Sequence, residues 1–450
     1  MPLPTKRRLH LAAGVPGVNH WTIWGAPGAG SQIDFSTFEH VARTAERGFF
    51  DYFFLAEGLR VREHKARLHE LDVAGRPDNF SVLAAAAAVT EHIGLVGTAS
   101  ATFNEPYDLA RRIASLDHLS GGRAGWNIVT SSDAFTGANF RRGGYLAYPD
   151  RYRRAAEFVE LSRALWDSWD GDAPQHYRFD GEFFDTEGWF PVAPGPQGHP
   201  VLVQAGDSGD GRDFAVGTAD VVFSRHGEPE AGRTFRSDIR ARALAAGRDP
   251  DGILVIPAVS VVLGDTPADA EERARETQFA QVTPQTAIHL LEQVWGSDLS
   301  GHDPEGPVPT PPESLGEQLT QGQARRVDDP LAAARAWHAE AVEREWSIRE
   351  LVVAKTTRHE FVGTPSQIAE RLDDAVQTGA ADGYVLSGSV VPHGIDEFVD
   401  RVVPLLQERG VLRTAYEHPT LRENLGLGDQ PWVRGSAHHR APGEQTELAS

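Results

Sequence analysis

The chain has 450 residues, 40% hydrophobic and 24% charged, which is the composition of an ordinary globular protein. Its formal net charge of −21 argues against nucleic acid and anionic membranes as partners, because both would repel it. The absence of cysteine excludes disulfides, Cys-ligated metals and thiol nucleophiles. No segment approaches the roughly 18 consecutive apolar residues of a membrane span. The apolar run behind the basic N-terminus is too short for a signal peptide, so we expect a cytoplasmic protein.

Short apolar segments alternate with amphipathic ones along the chain. Apolar residues in Phe35–Arg47 recur at helical spacing, whereas Phe49–Ala56 is apolar throughout and predicts a strand buried on both faces. The predicted strands are Arg8–Ala13, Phe49–Ala56, Ile93–Thr98, a strand within Ser120–Ser132, Pro200–Gln204, Asp220–Ser224, Ile253–Val262 and Gly383–Leu386. The predicted helices are Phe35–Arg47, Ser81–Glu91, Pro106–Leu119, Arg151–Trp169, Asp210–Gly217, Glu228–Ala246, Thr266–Gln278 and Ile395–Glu408.

This alternation predicts parallel strands joined by crossover helices, and eight such units favour an α/β (β/α)8 TIM barrel with insertions. An open, doubly wound sheet is the alternative fold. We expect one domain over residues 1–425, with insertions at about 177–199 and 281–362, followed by a polar tail at 426–450. The first insertion reads as a hairpin. The second reads as a lid or an interface element, with disorder as the alternative for its Pro- and Gly-rich part, His302–Pro312.

Two places combine a buried strand with polar residues at its end, where α/β proteins bind ligands. The strand within Ser120–Ser132 carries Asn127 and ends in a polar segment, although an ordinary hydrophilic loop would look the same. The segment Gly206–Arg212, GDSGDGR, follows a strand and opens a helix, which suits an anion site. A glycine turn with a helix cap is the alternative. No P-loop or Rossmann glycine motif is present in its required context, so a built-in nicotinamide site is not expected.

The remaining chemistry-bearing residues give weaker signals. His64, His69 and Glu70 lie in a charged stretch and favour a solvated surface over a metal site. His20 and Trp24 follow the first strand and could line a pocket, but aromatic residues there more often only pack. Neither an HExxH metal motif nor a GxSxG nucleophile elbow is present.

Six segments, taken in order, resemble one family. They are LDHLSGGRAGWNIVTSS (Leu116–Ser132), NF (Asn139–Phe140), YPDRYRRAAEFVE (Tyr148–Glu160), VLVQAGDSGDGRDFA (Val201–Ala215), VGTPSQIAERL (Val362–Leu372) and VVPLLQERGVLRTAY (Val402–Tyr416). The family is the nitrilotriacetate monooxygenase type of bacterial-luciferase-like flavin-dependent monooxygenases. The resemblance implies a TIM barrel that uses FMN, as FMNH2 supplied by a separate flavin reductase. It further implies that the flavin carries O2 as a C4a-peroxyflavin and oxygenates a small organic substrate.

The resemblance also implies residue roles. Gly206, Asp207 and Ser208 match the family's AGxS phosphate turn, and Tyr152 matches a tyrosine that donates to the phosphate or flavin. Thr98 and Asn127 match flavin contacts at strand ends. Three positions depart from the family pattern. The carboxylate of Glu57 stands where aspartate is common, and Tyr148 and Ser132 stand where relatives carry histidine.

No catalytic residue is assigned by these motifs, and the candidates are Tyr148, Ser132, His20 and His289. Trp24 and Phe103 are further pocket candidates. We expect a homo-oligomer, dimer or tetramer, and the acidic charge argues against a polyanionic substrate such as nitrilotriacetate. Two alternatives remain open. One is a non-oxygenating flavin or deazaflavin barrel oxidoreductase, and the other is a catalytically silent flavin-binding protein.

Overall fold

Parallel strands close into an eight-stranded barrel in the computed structural model, which describes residues 6–15, 22–69, 76–131, 134–140, 146, 150–314, 319–321, 329–357 and 359–428. The strands are β1 (His10–Val15), β2 (Tyr52–Leu55), β3 (Gly94–Ser100), β4 (Ala124–Val129), β5 (Val201–Gln204), β6 (Val221–Ser224), β7 (Leu254–Val259) and β8 (Gly383–Leu386). Each strand pairs with the strands before and after it, and β8 closes on β1 with His10 opposite Gly383. The predicted TIM barrel is therefore confirmed and the doubly wound alternative is wrong.

Helices cover the outside of the barrel and build the long insertion. They are α1 (Phe35–Arg47), α2 (Asn79–Ala87), α3 (Pro106–Ser120), α4 (Asp150–Trp166), α5 (Gly209–Thr218), α6 (Pro229–Ala245), α7 (Pro267–Gln281), α8 (Pro284–Trp295), α9 (Pro330–Glu343), α10 (Ile348–Thr356), α11 (Pro365–Gln377), α12 (Asp396–Arg401) and α13 (Val403–Glu408). Two single-turn helices, Ala134–Gly137 and Leu421–Asn424, complete the set together with 3₁₀ turns at Ala138–Phe140, Pro250–Gly252 and His393–Ile395. None of the helices among the described residues is long and apolar enough to cross a membrane.

Two predicted elements are interrupted. The predicted helix Ile395–Glu408 is broken at Val402, because Pro404 has no N–H to bond back to the preceding turn. The predicted strand Ile253–Val262 leaves the barrel at Ser260, whose N–H donates to the Glu360 carboxylate at 3.0 Å. The strand that follows, Val261–Leu263, pairs instead with Phe361–Gly363 outside the barrel.

Side chains alternate between the barrel interior and the helix-covered exterior, as the two-residue period of a strand requires. Trp126 of β4 points outward and packs on Phe158 of α4, with ring centroids 5.5 Å apart. Phe54 of β2 and Phe223 of β6 stack across the interior at 5.5 Å. Leu421 fills the amino end, where it lies so close to Gly94 that a Cβ there would be 2.5 Å from the leucine side chain. The interior is thus packed up to its carboxyl end.

The first predicted insertion forms the expected hairpin, with His176–Asp180 antiparallel to Asp185–Trp189, and a smaller pair joins Trp169–Asp170 to Ala173–Pro174. In the second insertion, α8, α9 and α10 share an apolar core that includes Trp295 and Leu351. Its Pro- and Gly-rich part is ordered against α10, since Ile348 N–H donates to the Gly306 carbonyl at 3.0 Å. A three-stranded sheet of Glu63–His64, Arg67–Leu68 and Thr320–Gln321 joins the insertion to the β2–α2 connection.

Candidate functional site

The glycine turn after β5 forms a closely packed backbone cradle. A Cβ on Gly206 would lie 2.7 Å from the Cα of Gly211, so only glycine fits there without movement. Ser208 caps α5, accepting the Gly211 N–H at 3.1 Å, and the Gly206 N–H donates to the Gln204 side chain at 2.6 Å. The amino end of α5 therefore presents backbone N–H groups at the carboxyl end of the barrel, in the arrangement that binds anions.

Tyr152 of α4 reaches this turn from the neighbouring βα unit. Its hydroxyl lies 3.5 Å from the Ser208 hydroxyl and accepts from Arg151 at 3.3 Å. The same hydroxyl would be 2.8 Å from a Cβ placed on Gly211. The structure thus brings together the two hydroxyls and the turn that the sequence singled out for a phosphate.

Asp207 belongs to the same turn, but its carboxylate is engaged elsewhere. It accepts from Arg212 and from His226, each at 3.0 Å. Burial alone would raise the pKa of Asp207, but the hydrogen bonds and charges of His226 and Arg212 outweigh it and hold the pKa below its ordinary value. Because both partners neutralise the carboxylate, it opposes an anion at this turn less than a free aspartate would.

Asn127 and Thr98 meet on neighbouring strands inside the barrel. The Asn127 side-chain amide donates to the Thr98 hydroxyl at 2.9 Å, and both residues are buried. The amide oxygen of Asn127 has no hydrogen-bond partner among the described residues. A buried carbonyl oxygen without a donor costs about 1–3 kcal/mol. Since Asn127 lies beside Val203, close in sequence to the Gly206 turn, this oxygen marks a place for a ligand N–H next to the anion site.

Glu57 follows β2 at the carboxyl end of the barrel, and the pKa of its side chain is strongly raised. Burial raises its pKa, the nearby charge of Asp78 raises it further, and the pKa reaches about 7 although Arg76 and the Asn79 N–H oppose the shift. A carboxyl group with this pKa holds a proton in part of the molecules at neutral pH. Glu57 can therefore both give and accept a proton there.

His289 does not join these groups, although it was a candidate catalytic residue. It lies on α8 of the insertion, with its ring centroid 4.1 Å from that of His64 and 5.8 Å from that of His69. His64 and His69 are 4% and 1% exposed, so the prediction that they lie on a solvated surface is wrong. The reason is long-range, because Glu292 of the insertion accepts from His64 Nε2 at 2.6 Å. Burial, followed by the Arg62 charge, lowers the pKa of His69 to about 3 and keeps its ring neutral.

The remaining candidates divide into two groups. His20, Ser132, Tyr148 and Glu70 lie outside the described residues. Trp24 packs against the main hydrophobic core, and Phe103 stacks on Phe140 with ring centroids 4.9 Å apart. Both aromatic side chains thus have packing roles.

Sequence reasoning missed a cavity of about 260 Å³ beside the glycine turn. Its lining consists of Arg225, His226, Glu228, Ala231, His359 and Glu360. His226 also bonds Asp207, which places the cavity next to the anion site. The available signal was the polar pair Arg225–His226 directly after β6, at the carboxyl end of a barrel strand.

The fold and the turn define the class: a (β/α)8 barrel with a glycine turn that opens a helix at its carboxyl end. Residues 18–382 match the luciferase-like monooxygenase family, and the chain belongs to that family. It is 39% identical to N-acetyl-S-(2-succino)cysteine monooxygenase of Bacillus subtilis (strain 168), covering 94% of this chain and 97% of that protein. It is 37% identical to nitrilotriacetate monooxygenase component A of Aminobacter aminovorans, covering 91% and 94%.

Among solved structures, a riboflavin lyase with modified FMN and the substrate riboflavin superposes with a TM-score of 0.75 at 28% identity. The match covers 93% of this chain and 96% of that one. These comparisons confirm the predicted family, and the chain is a luciferase-like monooxygenase.

Proposed function

We propose that the chain is the oxygenase component of a two-component monooxygenase. It would use FMNH2 from a separate flavin reductase, together with O2, to oxygenate a small organic molecule. The family supports the reaction class, and the Aminobacter relative is itself named a component A. The solved relative with modified FMN supports the choice of flavin.

The single observation that carries the flavin proposal is the unpartnered amide oxygen of Asn127. The isoalloxazine ring has an N–H on its polar edge that would satisfy this acceptor. The flavin phosphate would lie at the Gly206–Ser208 turn, where Tyr152 adds a second hydroxyl. The chain therefore offers an acceptor for the flavin ring and donors for the flavin phosphate. When bound, reduced FMN supplies the activation of O2 and the transfer of oxygen.

The protein's own groups would then bind, orient and exchange protons. The Thr98 hydroxyl accepts one amide hydrogen of Asn127 and so fixes which way the amide points, with its oxygen left to accept. Ser208 and Tyr152 would hold the phosphate as hydroxyl donors. Glu57, with a pKa of about 7, would move a proton at the barrel mouth near neutral pH.

Asn127→Leu tests the flavin contact. The change removes the acceptor, and a net hydrogen bond of about 1–1.5 kcal/mol corresponds to roughly tenfold weaker FMN binding. Asn127→Asp is the matched control, since it keeps an oxygen in place and should retain more affinity than leucine. Flavin fluorescence titration measures both. Equal FMN affinity in the two variants and the unchanged protein would contradict the assigned contact.

Turnover tests the reaction class. With a flavin reductase, NADH, isotopically labelled O2 and a panel of small organic substrates, we expect one labelled oxygen atom in the product. Labelled product that forms only when the reductase and this chain are both present separates this activity from a non-oxygenating barrel enzyme and from a silent flavin-binding protein. Failure to bind FMN or FMNH2 at tens of micromolar would refute the proposal at its first step.

A further inference from the structure

Two histidines and one aspartate from separate parts of the chain meet near the carboxyl end of the barrel. His40 lies on α1, while His393 and Asp396 follow β8. His40 Nε2 lies 2.9 and 3.0 Å from the two carboxylate oxygens of Asp396, and His393 Nδ1 lies 2.9 Å from one of them. The ligand atoms of all three residues lie within 4.8 Å of one another.

This spacing suits one metal ion. Zinc bonds of about 2.0–2.2 Å to imidazole nitrogen and carboxylate oxygen, arranged tetrahedrally, separate the donor atoms by roughly 3.4 Å. Each imidazole nitrogen would therefore need to move about half an ångström away from the Asp396 oxygens to share one ion with them. Two imidazoles and one carboxylate suit Zn²⁺ and neighbouring divalent transition metals, and would leave a coordination position for water.

The Asp396 carboxylate accepts from the two imidazoles and from the Thr44 side chain, while the nearby arginines are paired elsewhere. Arg43 on α1 is paired with Glu39 at 2.8 Å, and Arg47 is paired with Asp400. Burial alone would raise the pKa of Asp396, but hydrogen bonds from His393 and His40 hold the pKa below its ordinary value. Asp396 thus faces two imidazole nitrogens, the ligand types that share a cation with a carboxylate in protein metal sites.

We propose that His40, His393 and Asp396 form a divalent transition-metal site that joins α1 to the segment after β8. The connections that lead into this site are already bonded together, since Ile23 N–H donates to the Ser389 carbonyl and Gly30 N–H to the Val391 carbonyl, each at 2.7 Å. The ion reinforces this link between the first and last βα units at the rim of the barrel.

Zinc binding to the tag-free, metal-stripped full chain tests the site. Isothermal titration with Zn²⁺ should give one site per chain, and Co²⁺ should give the visible absorption of a four- or five-coordinate ion. His393→Ala should weaken Zn²⁺ binding at least tenfold, because this half-exposed histidine is a ligand and contributes little to the core. Asp396→Asn should do the same while preserving the size of the side chain. His302→Ala, at an exposed histidine on the insertion, is the control and should leave the affinity unchanged.

The thermal midpoint gives an independent readout. Zn²⁺ should raise it in the unchanged protein and in His302→Ala, and should leave it unchanged in His393→Ala and Asp396→Asn. No zinc binding by the unchanged protein would overturn the proposal. Equal affinity of the unchanged protein and both site variants would overturn it as well, because the bound ion would then lie elsewhere.

Discussion

The two ends of the barrel treat buried polar groups in opposite ways. At the amino end, an aspartate immediately precedes β2, β6 and β8, and each is almost fully buried. Each accepts the backbone N–H of a residue in the preceding strand at 2.9 Å, and the pairs are Asp51 with Leu11, Asp220 with Leu202, and Asp382 with Val255. The same carboxylate also binds an arginine, and these pairs are Asp51 with Arg413, Asp220 with Arg422, and Asp382 with Arg236. The aspartates thus tie neighbouring strands together in pairs.

At the carboxyl end, some buried polar groups lack a hydrogen-bond partner or have a shifted pKa. Asn127 has an unpartnered amide oxygen among the described residues, and Glu57 is half-buried with a raised pKa. The amino end also has exceptions, since two guanidinium nitrogens of Arg413 lack described partners and burial raises the pKa of Asp117, which accepts the Ala124 N–H, to about 6. Its three strand-linking aspartates, however, are each paired with an arginine. One end of this barrel thus stabilises the fold, while the other leaves polar groups available for the proposed flavin.

Of the substitutions considered, Asp382→Ala at the amino end of the barrel should lower the free energy of unfolding most. It would leave Arg236 buried without its carboxylate and the Val255 N–H without an acceptor, at a cost of about 3–5 kcal/mol in unfolding free energy. Asp251→Ala is the control, because this aspartate is 74% exposed in its pair with Arg240 and should cost less than about 1 kcal/mol. Urea unfolding measures both. FMN affinity of the folded Asp382→Ala protein should be unchanged, and a loss there would contradict the division of roles.

Glu292→Gln tests whether a buried, paired carboxylate stabilises the insertion as the aspartates stabilise the amino end of the barrel. This buried carboxylate accepts from His64 at 2.6 Å, and from Lys65 Nζ and the Leu299 N–H at 2.7 Å each. Loss of its charge should cost about 2–3 kcal/mol, the range of hydrogen bonds to charged groups. Asp298→Asn removes the other carboxylate that binds Lys65, and because the Asp298 side chain is 61% exposed, it should cost less than Glu292→Gln. Equal costs in denaturant unfolding would show that burial does not set the strength of this network.

The sequence predicts what depends on neighbours along the chain. Both Phe35–Arg47 and Gly383–Leu386 form as predicted, because helical and strand patterns are local. The surface prediction for His64 fails because its partner Glu292 lies 228 residues away. The proposed metal site at His40 could not be predicted for the same reason, because its partner Asp396 lies 356 residues away. A pattern in one window cannot report either contact.

The sequence also carries a repeated pattern at the amino ends of the barrel strands. Asp51, Asp220 and Asp382 each stand one residue before an apolar strand, and that recurrence indicates a shared structural role. At the carboxyl end, the resemblance named Tyr152 together with the Gly206–Ser208 turn, and the Tyr152 and Ser208 hydroxyls lie 3.5 Å apart. The resemblance gave no indication of the cavity beside Arg225, because cavity shape depends on how two separate segments of the chain pack together.

Gly206→Ala should disrupt the glycine turn at the carboxyl end of the barrel without changing any charge. The added Cβ would lie 2.7 Å from the Gly211 backbone, so the turn must open and its N–H groups must move. We expect about 100-fold weaker FMN binding, equivalent to about 2.7 kcal/mol. Gly209→Ala in the same turn meets nothing within 4 Å and is the matched control. Fluorescence titration of the two variants decides the matter, since equal affinities would separate the glycine packing from phosphate binding.

Glu57→Gln has the smallest expected effect and tests whether the carboxyl end costs stability. The folded chain holds the Glu57 proton up to a pKa of about 7, whereas the ordinary value is 4.5. The unfolded chain therefore releases this proton first, and the contribution of Glu57 to stability falls as the pH rises from 4.5 to about 7 and then levels off. The full shift corresponds to about 3 kcal/mol at neutral pH, and solvent screening at this half-buried side chain reduces the penalty to about 2 kcal/mol. Glutamine carries no charge to bury, so the variant should gain stability relative to the unchanged protein at about pH 8 but not at about pH 4. Glu63→Gln on the same connection controls for the loss of one negative charge. Parallel pH profiles of unfolding free energy for Glu57→Gln and the unchanged protein would mean that Glu57 is not the group that makes this end of the barrel costly.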